Sequence, residues 1–210
     1  MPELSGLYYP NRFARYFFLA IEDVMGQGGL TMLLNLAGLD RYVDAPPADD
    51  LARGFDFAEM AALQIGLEEM YGVRGGRGMA LRIGRASFSM GLRHFGALRG
   101  VATPAFRRQP LDQRCRLGLD ALAAVFTTFS DQRSSASDAG PAYCFQVEVS
   151  PMAWGRTAEK PVCHALAGIV QECMRWVSNG FEYYVHETEC RACGAARCTF
   201  TINKTPIGQR

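Results

Sequence analysis

From Asn11 onward, apolar side chains recur at intervals of three and four: Phe13, Phe17, Phe18, Ile21, Val24 and Met25. That spacing lays one apolar stripe along a helix, with Asn11 placed to cap its start. Gly26 to Gly29 interrupt the stripe, and Leu30 to Leu39 predict a second, shorter helix. Arg41 to Asp50 holds Pro46-Pro47 and three Asp, the composition of an exposed loop or linker. A boundary is therefore expected there, with an N-terminal helical arm over 1–50 and the main domain over 51–210.

Phe57 to Met70 again predicts a helix, closed by Tyr71-Gly72 and Gly75-Gly76. Gly78 to Arg85 resumes it, and Gly84, Ala86 and Gly91 would let another element approach closely. A phosphate-cradling loop is the sharper alternative, but neither G-x-G-x-x-G nor a Lys-Ser/Thr ending is present. Close helix packing is the simpler reading. Leu111 to Phe129 places Cys115, Leu119, Leu122, Phe126 and Phe129 on one helical face. Ser130 to Gly140 is polar and predicts a mobile loop.

The period then changes to two. Tyr143, Phe145, Val147 and Val149 alternate with Cys144, Gln146 and Glu148, the pattern of a half-buried strand. Val162 to Val177 predicts a helix ended by Asn179-Gly180. Phe181 to Thr188 and Cys198 to Asn203 predict two strands joined by a cysteine-bearing turn. Helices first, then β–α–β–β, give an α+β fold in which helices cover an antiparallel sheet.

The composition narrows the function. Hydrophobic residues are 49% of the 210 and charged residues 20%, which excludes disorder from low hydrophobicity. A net charge of +1 gives no electrostatic case for a nucleic-acid partner. The longest uncharged stretch, Val24 to Leu39, is too short and too rich in Gly to cross ~30 Å of hydrocarbon, so no membrane span is expected. The opening Pro2-Glu3-Leu4 begins no cationic-then-apolar leader, and a cytoplasmic chain is expected.

The seven cysteines are Cys115, Cys144, Cys163, Cys173, Cys190, Cys193 and Cys198, and three of them fall within nine residues. An odd count argues against a disulfide framework, so the cluster points to metal or redox chemistry. Cys190, Cys193 and Cys198 are three candidate ligands. Cys163, Cys173, His186, Glu187 and Glu189 compete for the remaining place. A redox C-x-x-C pair lacks the strand-to-helix setting of thioredoxin-like motifs, and an iron–sulfur set lacks a fourth Cys at a familiar interval.

Pro161-Val162-Cys163, a helix closing near Gly180, and Glu187-x-x-Cys190-x-x-x-Gly194-x-x-x-Cys198-x-Phe200 together resemble the 4-vinyl reductase domain. That domain also forms the effector-sensing part of phenol- and toluene-responsive activators. The resemblance spans roughly residues 70 to 205. It implies a zinc ion held by Cys163, Glu187, Cys190 and Cys198, with Cys193 left out. Arg191 and Arg197 would offset the −2 charge of such a site. The resemblance further implies the ligand-binding fold of nitric-oxide sensors and Golgi-transport subunits, a cavity between sheet and helices for a small hydrophobic or aromatic ligand, and a homodimer. Tyr143, Phe145, Val147, Trp154, Trp176 and Tyr183 supply flat apolar surface for the cavity. Phe13, Phe17, Phe18, Leu33, Leu34 and Leu36 supply surface for the dimer. His94 and His164 read as structural groups.

Because the chain ends at Arg210, the stand-alone form of the family is expected, resembling the bacteriochlorophyll-biosynthesis protein. The expected function is a zinc-stabilised binding protein, with a tetrapyrrole carrier as one form of it. A vinyl reductase of chlorophyll biosynthesis and a non-catalytic interaction platform are the alternatives. The reductase lacks a dinucleotide fingerprint or flavin motif.

Overall fold

Asp56 starts the longest helix and fastens the N-terminus to it. Its carboxylate accepts from Ala58 N at 2.8 Å, while Glu59 Oε2 accepts from Asp56 N at 2.9 Å, a reciprocal capping box. Ser5 N, Ser5 Oγ and Gly6 N donate to the same carboxylate. Burial alone would raise its pKa, and these donors together hold it below the usual range. This computed structural model describes residues 3–101 and 103–208. Its helices are α1 (Asn11–Leu36), α2 (Arg41–Asp44), α3 (Phe57–Met90), α4 (Ala97–Gly100), α5 (Pro104–Arg107), α6 (Leu111–Phe129) and α7 (His164–Val177). Its strands are β1 (Tyr8–Pro10), β2 (Arg53–Asp56), β3 (Ser134–Asp138), β4 (Ala142–Val147), β5 (Val185–Glu189) and β6 (Cys198–Asn203).

Both long helices break at a single glycine, Gly26 in α1 and Gly72 in α3, each at positive φ (75° and 69°). Helix resumes at the next residue, earlier than the pattern around Leu30 and Gly78 predicts. Asn11–Leu36 is by length and composition apolar enough to cross a membrane. Gly26 divides it into 11–25 and 27–36, each shorter than the ~20 residues a span needs. Phe13, Phe17, Phe18, Leu33 and Leu34 point into the chain's own core, so of the six residues offered for a dimer only Leu36 stays exposed.

The Asp-rich segment after α2 is exposed yet tied down. The first amides of α1 donate into it, Asn11 N to Ala52 O and Arg12 N to Asp50 O, and Arg12 pairs with Asp49 at 2.6 Å. The boundary at residue 50 falls between β1 and β2, which pair antiparallel. Tyr9 and Phe13 pack on Phe126 of α6.

The main sheet runs β3-β4-β6-β5, all antiparallel. Ser134–Asp138 corrects the loop expected over Ser130 to Gly140. It is an edge strand whose polar residues carry no apolar alternation, and its pairing to β4 comes from backbone hydrogen bonds. Strand β5 begins at Val185, later than Phe181, because Asn179 and Gly180 at positive φ turn the chain first. Helices α6 and α7 pack together and contact the sheet, α3 runs along α7, and α1 along α3.

The α3–α7 crossing is a backbone contact. A Cβ built on Gly84 would lie 1.9 Å from Ala165 O, and one on Gly168 would lie 2.2 Å from Leu81 O. The close approach read from the small residues is therefore real. Gly84→Ala should destabilise by about 1–3 kcal/mol or more through overpacking against main chain. Gly78→Ala, with nothing within 4 Å of the added Cβ, should be neutral or stabilise by roughly 0.5–1 kcal/mol. Denaturant unfolding of the two variants decides it; equal midpoints would show that α3 and α7 are not locked this way.

Candidate metal centre

Three thiols and one carboxylate meet where the first turn of α7 faces the β5–β6 hairpin. Ligand atoms of Cys163, Glu187, Cys190 and Cys198 all lie within 4.8 Å of one another. Cys163 precedes α7, where the positive helix end favours a thiolate. Cys190 precedes a single 3-10 turn, Arg191–Cys193, which carries the chain round to Cys198 at the start of β6.

Glu187 is selected by an irregularity. Register shifts between Glu187 and Glu189, so Thr188 bulges out of the ladder. Plain alternation would put both glutamates on one face. The bulge leaves Glu187 beside Cys163, while Glu189 accepts from Thr199 Oγ1 at 2.7 Å. The other competitors stand elsewhere. Cys193 is exposed, Cys173 Sγ lies 3.6 Å from Gly118 O, and His186 stacks on Tyr184.

The geometry suits a tetrahedral ion. Bonds of ~2.3 Å to zinc place two sulfurs about 3.8 Å apart, and Cys163 Sγ and Cys198 Sγ are separated by 3.6 Å. Glu187 Oε2 accepts from Cys163 N at 2.8 Å. Its Oε1 is buried and has no hydrogen-bond partner among the described residues, which is the environment a cation would relieve. Burial pushes the Glu187 carboxyl up to about 8 and raises Cys163 as well. Cys190 moves down because thiols of Cys163 and Cys198 donate to it. A divalent ion would therefore enter by displacing protons from the remaining groups.

Arg191 and Arg197 do not turn toward this cluster. Arg191 donates to Ala196 O and Glu148 O, and Arg197 to Gln146 Oε1. Main-chain amides do the screening instead: Arg191 N lies 3.4 Å from Cys198 Sγ. Ser150, buried with Oγ 3.1 Å from Cys163 Sγ, is a neighbour that no spacing rule could reveal.

The six expected pocket residues do not converge. Tyr143, Phe145 and Val147 share the inner face of β4 and are buried, with Tyr143 donating to Asp112 Oδ1. Tyr183 OH lies 3.4 Å from Cys115 Sγ in the same core. Trp176 edges onto Phe88 in one surface cleft, and Trp154 lines another with Ala61 and Ile65. A further cleft of about 660 Å³ adjoins the metal cluster and shares Glu187 with it. Its walls come from α3 beyond Gly72, the segment 156–164, α7 and β5. His164 lines it, and burial depresses that imidazole to about 4, so it is neutral at pH 7. No motif in the sequence marks this cleft.

Residues 144–204 match the family model of the 4-vinyl reductase domain. No curated protein matches the chain. Among solved structures, the phenol-responsive sensory domain of the transcription activator PoxR with phenol is 21% identical, with TM-score 0.51 over 70% of this chain and 73% of that one. A structure probing heme distortion in the H-NOX family is 14% identical, with TM-score 0.60 over 96% and 98%. An H-NOX protein from S. oneidensis in the Fe(II)NO state is 12% identical, with TM-score 0.56 over 90% and 97%. These likenesses establish an H-NOX-like α+β fold.

The raised Glu187 sets a pH signature for metal-stripped protein. Its folded value of about 8 lies above the ~4.3 of an unfolded glutamate, so the folded state keeps a proton the unfolded state has released. That contribution is whole below the lower value and is lost as pH rises through the higher one. Thermal melts in chelator should fall between about pH 5 and pH 8, and Glu187→Gln should remove most of the fall. An unchanged slope in the variant would mean that the carboxyl does not titrate there.

Proposed function

Because residues 144–204 belong to the 4-vinyl reductase domain family, we propose that the chain is a small-molecule binding domain framed by a structural zinc ion. Cys163, Glu187, Cys190 and Cys198 hold the ion, and a small apolar or aromatic ligand occupies the cleft that shares Glu187 with it. The observation that carries this is the buried, donorless Glu187 Oε1 beside three sulfurs. Thiolate and carboxylate together suit zinc, and four protein ligands leave no open position for a reacting water. The ion's work is then to join α7 to the hairpin, on the scale of ~10 kcal/mol.

Binding is better supported than catalysis. The similar folds are described as a phenol-responsive sensory domain and as heme-bearing H-NOX proteins, which favours an apolar or aromatic ligand. A tetrapyrrole carrier serving bacteriochlorophyll synthesis is the larger version of the same reading, and a cleft of about 660 Å³ lies within the usual ligand range. The free thiols suit a reducing, cytoplasmic compartment. A homodimer would use the surface around Thr31, exposed Met32 and Leu36, and light scattering returning a monomer mass would remove it.

Elemental analysis of native protein should give about one zinc per chain. Cys190→Ser or a strong chelator should lower Tm by more than ~10 °C, given roughly 2–4 °C per kcal/mol at this size. Cys193→Ser should keep both metal and Tm. Zinc far below one per chain would end the metal reading. For the cleft, the neutral fluorophore N-phenyl-1-naphthylamine should bind at micromolar concentration, and Leu81→Glu should weaken it about tenfold. Leu81 is half-buried, so the variant should fold, and undiminished binding by it would move the ligand elsewhere.

A further inference from the structure

The cleft beside the metal cluster carries an unneutralised rim. On α3 beyond Gly72, Arg74 and Arg77 are three residues apart and Leu81 follows four later, so all three lie along one helical face. Lys160 approaches from the facing segment. Arg74, Arg77 and Lys160 form no ion pair or hydrogen bond among the described residues, although the same cleft offers Glu159, itself unpaired. Arg156, by contrast, is occupied by Glu68, with Nη2 2.7 Å from both carboxylate oxygens. Three open cations against one open acid make a local positive excess on a chain whose net charge is only +1.

Below the rim the wall is apolar. Leu81, Val162, Ala167 and Val185 form it, and Val162 and Val185 are adjacent in sequence or in strand to the metal ligands Cys163 and Glu187. Apolar surface beside convergent cations is complementary to one kind of molecule: an apolar body ending in an anion. Arginine forks meet a carboxylate in bidentate geometry, which the two helical guanidiniums can offer together.

We propose that this cleft binds an amphipathic carboxylate, its apolar body against Leu81, Val162, Ala167 and Val185 and its carboxylate held by Arg74, Arg77 and Lys160. The proposal rests on the cleft being the ligand site and adds the chemical class of the ligand. It also orients the ligand, apolar end toward the metal cluster and charged end toward solvent.

A matched pair of probes separates the two ideas. Dodecanoate and dodecanol, both kept below micelle formation, compete against N-phenyl-1-naphthylamine on the zinc-loaded full chain. Dodecanoate should displace the dye at about tenfold lower concentration than dodecanol, and about 0.5 M salt should shrink that gap through screening. The triple variant Arg74→Gln, Arg77→Gln, Lys160→Gln should bring the two within about twofold while leaving dodecanol unchanged. All three side chains are exposed, so the variant's Tm should match wild type. Equal displacement by acid and alcohol in the wild-type chain would overturn the anionic class and leave the cleft as an apolar site. A gap that survives in the triple variant would overturn these three cations as its source. Failure of both probes to displace bound dye would overturn the cleft itself, and the proposal with it.

Discussion

The contact between the start of α7 and the β5–β6 hairpin governs the rest of the structure. Cys163 gives both its amide and its sulfur to this joint, the amide to Glu187 and the sulfur to the cluster with Cys198. Left without a cation, the joint buries a carboxylate oxygen with no donor and several groups competing for protons. Such a cluster is unfavourable in a low-dielectric interior, and a divalent ion turns the same atoms into a stable link. The far end of α7 is held differently. Arg107 and Arg114 donate to the carbonyls of Trp176 and Val177, which would otherwise lack partners at a helix C-terminus.

Because α7 is held at both ends, its packing can be close along its length. The two glycine contacts with α3 leave no slack between main chains, and Gly118 of α6 meets Val177 with similar intimacy, at 2.6 Å from a built Cβ. A shift of α7 by a fraction of an ångström would reach both helices, since packed interiors transmit displacement. The cleft proposed for ligand is walled by parts of the same frame: Val162 and His164 flank the first sulfur, and Glu187 is itself a ligand atom donor. Rigidity there follows from the joint, and chemistry is left to the side chains that face the opening.

Much of this was legible in the sequence, for identifiable reasons. Thiols are rare and their spacing is stiffly constrained, so the four-residue set emerged from the hairpin pattern and the family resemblance. The choice of Glu187 over Glu189 was beyond alternation alone, because the bulge at Thr188 changes which glutamate faces inward. Strand β3 was illegible because an edge strand of Ser, Ala and Asp pairs through its backbone and buries little. The aromatic residues of β4 illustrate a deeper limit. A period of two reports that Tyr143, Phe145 and Val147 face inward, but the same pattern describes a cavity wall and a filled core, and here they lie in the core. Arg74 and Arg77 sit in a glycine-rich run whose reading stopped at helix termination, although the helix continues past it.

The likeness to H-NOX structures, at 12–15% identity, fixes the chain path and leaves ligand placement to local packing. Where α3 meets α7, the added Cβ of Gly84 would overlap the carbonyl of Ala165. No planar macrocycle can lie between those two helices while that contact stands. A ligand of any size must enter from the edge of the sheet, where α3 beyond Gly72 parts from β5. Edge strand β5 has neighbour β6 on one side alone, so its other side is open to the cleft. The same break at Gly72 that interrupts the helix therefore also sets the wall of the opening, and a chain whose interior is closed by glycine contacts keeps its binding surface at the rim of its metal joint.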